Sequence, residues 1–113
     1  MVVCLAASDR DIAGPALKNA QWLASLQHRR EHHFIVAVNQ RGAHLAQPVV
    51  DALRVRFKQV DLFVPYDEEE RPWPWAQNHM FDRVARHMKK NIKQPWFWLE
   101  SDATALCDYA LDI

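Results

Sequence analysis

Two hydrophobic periods alternate along this chain, and that alternation constrains its fold more than any other feature. Four short apolar runs, "VVCLAA" (2–7), "HFIVAV" (33–38), "VDLFV" (60–64) and "WFWL" (96–99), are nearly continuous. They are β-branched or aromatic and too short for buried helices, so they read as strands. Between them, apolar residues recur at helical spacing. Ile12, Ala16, Ala20 and Leu23 follow the first run, Leu45, Val49, Leu53 and Phe57 the second. Met80, Val84 and Met88, with Phe81 and Ala85 alongside, follow the third. The element order is β-α-β-α-β-α-β. Strands separated by helices pair in parallel through right-handed crossovers.

The fold class that follows is α/β, a three-layer αβα, Rossmann-like open parallel sheet. "WFWL" turns Trp96 and Trp98 to one face and Phe97 and Leu99 to the other. Both faces are apolar, so this strand is expected inside the sheet with helices over both sides. Asp9 or Asp11 is placed to cap the first helix, which puts Pro15 in its first turn, where proline is tolerated. Lys89, Lys90 and Asn91 suit the C-terminal end of the third helix. The 113 residues suffice for one domain, 1–113, and show no internal repeat or linker.

Composition excludes several classes. The 14 basic and 14 acidic side chains cancel, so charge gives no reason to expect a nucleic-acid or membrane-surface partner. The opening "MVVCLAA" lacks a basic lead and is too short for a signal core or a membrane span, which makes the cytoplasm the expected location. Of two cysteines, Cys4 lies in an apolar run and reads as a small buried hydrophobe; neither it nor Cys107 belongs to a C-x-x-C pair. The two glycines, Gly14 and Gly42, cannot build a glycine-rich phosphate cradle, which argues against a dinucleotide dehydrogenase or a P-loop NTPase. No serine, histidine and acid trio, and no cysteine with histidine, has the strand-turn setting of a nucleophile.

An open parallel sheet offers a crevice at the carboxyl ends of its strands, where strand order reverses. Polar groups follow three strands directly: Ser8 to Asp11, Tyr66 to Glu70, and Glu100, Ser101 and Asp102. Glu100 and Asp102 are two apart. On an extended backbone they would share one side, with Cα atoms roughly 6.5–7 Å apart. Two carboxylates so placed suit a hard divalent cation, Mn2+ or Mg2+, which favours oxygen ligands and keeps waters and substrate phosphates in its shell. By spacing alone, acids that mark the strand's exit to solvent are the plainer reading, because E-x-D is a short pattern.

An apolar strand running into E-x-D as the fourth strand of this unit resembles the nucleotide-sugar half of glycosyltransferases of the A-type fold. "PWFWLESDATAL" (95–106) is similar to their metal-motif strand, particularly in phage and bacterial members. Ala76-Gln77-Asn78 resembles the "A-R-N" that opens the helix before it. The resemblance spans nearly the whole chain in element order but about a dozen residues in motif. It implies that Asp102, helped by Glu100, holds Mn2+ or Mg2+ against the diphosphate of a nucleoside-diphosphate sugar. It implies that Asn78 contacts the donor and Asp9 the nucleoside, with Ser8, Gln77 and Ser101 beside them. Gln77 stands where an arginine is usual, and Glu100 where a first aspartate is commoner. Family members place the acceptor site in a half that follows the metal strand, whereas here only Ala103 to Ile113 remain. The chain is therefore expected to be a partial enzyme, weakly active or inactive alone, that needs a missing second half or self-association. A non-enzymatic interaction module and a nucleotidyltransferase are the alternatives.

Other residues have plainer readings. His28 and His32 would form an i, i+4 zinc pair on a helix, but with no third ligand evident they read as a solvated helix end and loop. His79 and His87 read as surface or edge residues of the third helix. Asp67 to Glu70 read as a solvated acidic loop. Trp73 and Trp75 read as packing against the sheet edge, with stacking on a nucleobase the alternative.

Overall fold

The computed structural model describes residues 1–65, 75–103 and 108–112. Four strands form one all-parallel sheet: β1 (Val2–Ala7), β2 (His33–Val38), β3 (Gln59–Phe63) and β4 (Trp96–Glu100). Their order is β3-β2-β1-β4. β1 pairs with β2 from Val2↔His33 to Ala7↔Val38, and with β4 from Val2↔Trp96 to Ala6↔Glu100. The chain steps outward from β1 to β3 and then returns to the other side of β1. Strand order therefore reverses between β1 and β4.

Three helices cover the sheet: α1 (Pro15–Ser25), α2 (Gln47–Arg54) and α3 (Trp75–His87). The period-2 alternation of the strands decides which helix meets which side chains. Val3, Leu5 and Ala7 of β1, with Phe34, Val36 and Val38 of β2, pack against Ala16, Ala20 and Leu23 of α1 and Val49, Val50 and Leu53 of α2. Val2, Cys4 and Ala6, with Ile35 and Ala37, pack on the opposite face against Val84 of α3 and Met88. Every residue of β1 is buried, as a central parallel strand requires.

Local details depart from the sequence expectations in three places. Neither Asp9 nor Asp11 caps α1; the helix starts at Pro15 itself behind Gly14, without a side-chain cap. The expected stripe of the second helix is split. Val49 and Leu53 lie in α2, Phe57 is buried beyond its end, and Leu45 sits exposed in a preceding 3-10 segment, Gln40–Leu45. Lys89, Lys90 and Asn91 do sit at the C-terminal end of the third helix as expected: α3 continues as a π-helical turn, Met88–Ile92, and stops at Lys93, which takes the left-handed φ of 56° that ends a helix. Finally, β4 is an edge strand among the described residues rather than an interior one. The register that buries Leu99 beside Leu5 leaves Phe97, two residues back on the same face, 47% exposed. Trp96 and Trp98 are half-buried against Phe81, with ring centroids 5.8 and 5.1 Å away. Among the described residues, no helix is long and apolar enough to cross a membrane.

Candidate functional site

A cavity of about 600 Å³ opens at the carboxyl ends of β1 and β4, where strand order reverses. Ala6, Ala7 and Ser8 form one wall with Asp11 and Pro15. Trp98, Glu100, Ser101 and Asp102 form another, Ala76, Gln77 and Met80 of α3 a third, and Asn39 closes the side toward β2. Its volume falls in the range of small-ligand sites.

Its floor is one hydrogen-bond unit. The backbone N–H of Ser8 donates to Asp11 Oδ1 at 2.6 Å and the Ser8 hydroxyl to the same oxygen at 3.0 Å. The Ser101 hydroxyl donates to Asp11 Oδ2. Ser8, Asp11 and Ile12 close a tight turn after β1, through Asp11 N–H and Ile12 N–H to Ser8 O at 3.2 and 2.9 Å. A second turn follows β4, closed by Ala103 N–H to Glu100 O at 3.0 Å. Asn19, buried in α1, donates from Nδ2 to Ala103 O at 2.6 Å. Two side chains, Asp11 and Asn19, thus tie the Glu100–Ala103 turn to the chain that leads into α1 and to α1 itself.

The turn also changes the geometry expected of the acid pair. β4 ends at Glu100, so Asp102 does not follow it on an extended backbone. Both carboxylates are exposed and both line the cavity. Ser101, between them, is 6% exposed and committed to Asp11. Gln77 Nε2 donates to Glu100 Oε1 at 3.1 Å, which links the first turn of α3 to the end of β4.

Of the residues expected at the site, Ser8, Gln77, Glu100, Ser101 and Asp102 are brought together. Asn78 is exposed on α3 and does not line the cavity. Asp9 stands behind the wall. It accepts from Asn39 Nδ2 at 2.8 Å, and that bond, with Arg41 and Arg10 nearby, holds its carboxyl below the usual carboxylate range. Asn39 Oδ1 in turn accepts from Gly42 N–H at 3.1 Å. The acidic loop of Asp67 to Glu70 and Trp73 lie outside the described residues. Trp75 is 63% exposed and does not pack against the sheet edge as expected.

Three residues that build the cavity or brace its turns are not among the site residues expected from the sequence. Asn39 directly follows β2, so the strand-end rule that selected the other groups finds it too. Asp11 belongs to the polar group after β1 as well as being a cap candidate; its bonds to Ser8 are local, but its bond to Ser101 spans 90 positions, and no local pattern carries that. Asn19 looks like an ordinary helix residue; only the fold brings it to Ala103.

A second polar cluster lies at the opposite rim of the sheet. His28 and His32 occupy the loop between α1 and β2, not a helix, and they are not solvated: His32 is 2% exposed and His28 half-buried. Their third partner is Asp112, in the 3-10 turn Ala110–Asp112. His79 and His87 are half-buried on α3, and His87 stacks on Phe63 with centroids 4.2 Å apart.

Comparison of the sequence with protein-family models and with curated proteins returned no match.

Proposed function

We propose that the cavity between β1 and β4 binds a divalent cation, Mn2+ or Mg2+, together with the diphosphate of a nucleoside-diphosphate sugar, as the donor half of a metal-dependent glycosyltransferase. The charge of the cavity carries this reading. Its described lining holds three carboxylates, Asp11, Glu100 and Asp102, and no lysine or arginine. Asp11 is committed to Ser8 and Ser101, so Glu100 and Asp102 are the carboxylates available to an ion. An all-oxygen donor set suits a hard cation, and one or two carboxylates suffice when phosphates complete the shell. A diphosphate would be repelled from these acids without a cation between them.

The chain's own groups have distinct tasks in this reading. Glu100 and Asp102 hold the ion, and Gln77 fixes the Glu100 carboxylate. The Ser101–Asp11 bond keeps the two turns at one spacing. The first turn of α3, with Ala76 and Gln77 at the cavity, adds the partial positive charge of a helix N-terminus. The bound ion would supply Lewis-acid stabilisation of the leaving diphosphate.

Thermal unfolding with Mn2+ and a nucleoside diphosphate, separately and together, tests the reading. The midpoint should rise only when both are present, and Asp102→Ala should abolish the rise. An equal rise in the variant, or none in the wild type, removes the assignment. A nucleoside triphosphate that outperforms the sugar donor in the same assay would favour a nucleotidyltransferase.

One observation favours a second reading, an association module. β4, an edge strand among the described residues, exposes Phe97, an apolar side chain that suits a partner. Light scattering after size exclusion separates the two: self-association that Phe97→Ser dissolves supports the module.

A further inference from the structure

His28, His32 and Asp112 meet at the amino ends of the strands, away from the cavity described above. We propose that His28, His32 and Asp112 form a binding site for a zinc-class transition-metal ion, which clasps the loop between α1 and β2 to the Ala110–Asp112 turn.

One ligand atom from each of the three side chains lies within 4.8 Å of the other two. The residues come from positions 80 apart, so the convergence belongs to the fold and not to local sequence. The ring of His32 meets that of His28 edge-on, with centroids 5.7 Å apart, and both rest on the buried ring of Phe57.

The hydrogen bonds fix where the lone pairs are. His28 Nε2 lies 2.8 Å from Leu23 O. A carbonyl oxygen can only accept, so Nε2 carries the proton and Nδ1 of the neutral ring is a bare acceptor. That Nδ1 is buried and has no partner. A buried acceptor left unpaired is costly, and it calls for a donor or an ion. The bond from Nε2 to a backbone carbonyl is also the outer contact that metal-bound imidazoles commonly make, because it fixes the tautomer and aims the other nitrogen.

His32 Nε2 lies 2.7 Å from Asp112 Oδ1, with a side chain that is fully buried. The second carboxylate oxygen is aimed by Arg29 N–H at 2.7 Å, and Arg30 N–H adds a longer contact of 3.4 Å to Oδ1. An ion takes the place of the proton between His32 Nε2 and Asp112 Oδ1, and that proton moves to His32 Nδ1, whose lone pair is now unpartnered. Zinc bonds of about 2.0–2.1 Å at tetrahedral angles hold ligand atoms about 3.3 Å apart. The pair must therefore open by about 0.6 Å from its 2.7 Å contact. Water completes the fourth position. Imidazole with carboxylate suits zinc, cobalt or nickel, whereas the all-oxygen cavity at the other rim suits magnesium or manganese.

The segment held by Asp112 is already tied to the same loop. Tyr109 N–H donates to Gln27 O at 2.8 Å, the Tyr109 hydroxyl donates to Gln27 Oε1 at 2.7 Å, and Leu111 is buried in the core. The ion would add one further link to this strap and raise the stability of the folded chain.

The test uses untagged full-length protein stripped with a chelator. Co2+ should give the visible d–d absorption of a four-coordinate ion, saturating at one equivalent, and Zn2+ should displace it. The unfolding midpoint should rise with Zn2+ concentration, as expected for an ion that binds only the folded state. His28→Gln and Asp112→Asn should each weaken Zn2+ binding 10-fold or more, while Glu100→Gln with Asp102→Asn should not. His28→Gln alters a half-buried ring, and native Trp fluorescence verifies that it folds. Absence of the cobalt band in the wild type overturns the site. So does a band that survives both His28→Gln and Asp112→Asn.

Discussion

Asp11→Ala is the most informative single change, because Asp11 joins the turn after β1 to the turn after β4. It removes the acceptor of three hydrogen bonds, two from Ser8 and one from Ser101. A hydrogen bond to a charged group contributes about 1.5–3 kcal/mol, but the two Ser8 bonds share one oxygen and are not additive. Ser101 is 6% exposed, so its hydroxyl would lose its partner with little water to replace it. Asp11 itself is half-buried, which reduces the sum. The expected loss is about 2–4 kcal/mol, or about 8–17 °C in midpoint for a chain of this size. Urea unfolding read by tryptophan fluorescence measures it. A cycle with Ser101→Ala isolates the bond between the turns and should give a coupling of about 1–2 kcal/mol. If Asp11→Ala lies within about 0.5 kcal/mol of wild type, or the two changes add, the turns are not joined as described.

Three further expectations follow from buried groups. Gly42→Ala would set a Cβ 2.7 Å from Val38 Cγ2 and 2.9 Å from Asp9 Cα, so backbone must move; a loss of about 1–3 kcal/mol is expected by urea unfolding. Gly14→Ala, with nothing within 4 Å, is the matched control; equal effects would refute the packing argument. Burial pushes the Cys4 thiol up to about 12, so in a Cys107→Ser background a disulfide reagent should react only as fast as the chain unfolds. Rapid reaction in native buffer would contradict this. Burial holds the His32 imidazole below its ordinary 6.5, helped by the Met1 ammonium and His28 and opposed by Asp112. Below about pH 6.5 the unfolded chain therefore takes up a proton that folded His32 resists, and stability falls with pH. Urea midpoints at pH 7.5 and 5.5 should show the decline and His32→Gln should flatten it; a rise on acidification would overturn the assignment.

The sheet was legible because each buried strand writes its burial into its residues. β1 and β2 occupy the residues that their apolar runs mark, since both faces of each strand are covered. "WFWL" is as apolar as they are, yet among the described residues it forms an edge. Apolarity records that a surface suits burial, and does not record which neighbour supplies it. Caps were harder. Asp9 and Asp11 have the chemistry of caps, but α1 starts only at Pro15 behind Gly14, and the two carboxylates bond instead to Asn39 and Ser101, which follow other strands. The acid pair was found by its place after a strand, whereas its geometry was not, because the turn that closes at Ala103 depends on Asn19 and Asp11. The His28, His32 and Asp112 cluster needed a third member that lies 80 positions from its partner, beyond the reach of any local spacing rule.

In the proposed donor site, Glu100 and Asp102 share one ion with a diphosphate. Electron paramagnetic resonance of Mn2+ reads that directly, since the six-line signal of the free ion fades on binding. Titration with nucleoside diphosphate present should remove a single equivalent of free signal per chain, and Asp102→Asn with Glu100→Gln should restore it. An undiminished free signal in the wild type, or the same loss in the double variant, would contradict the account.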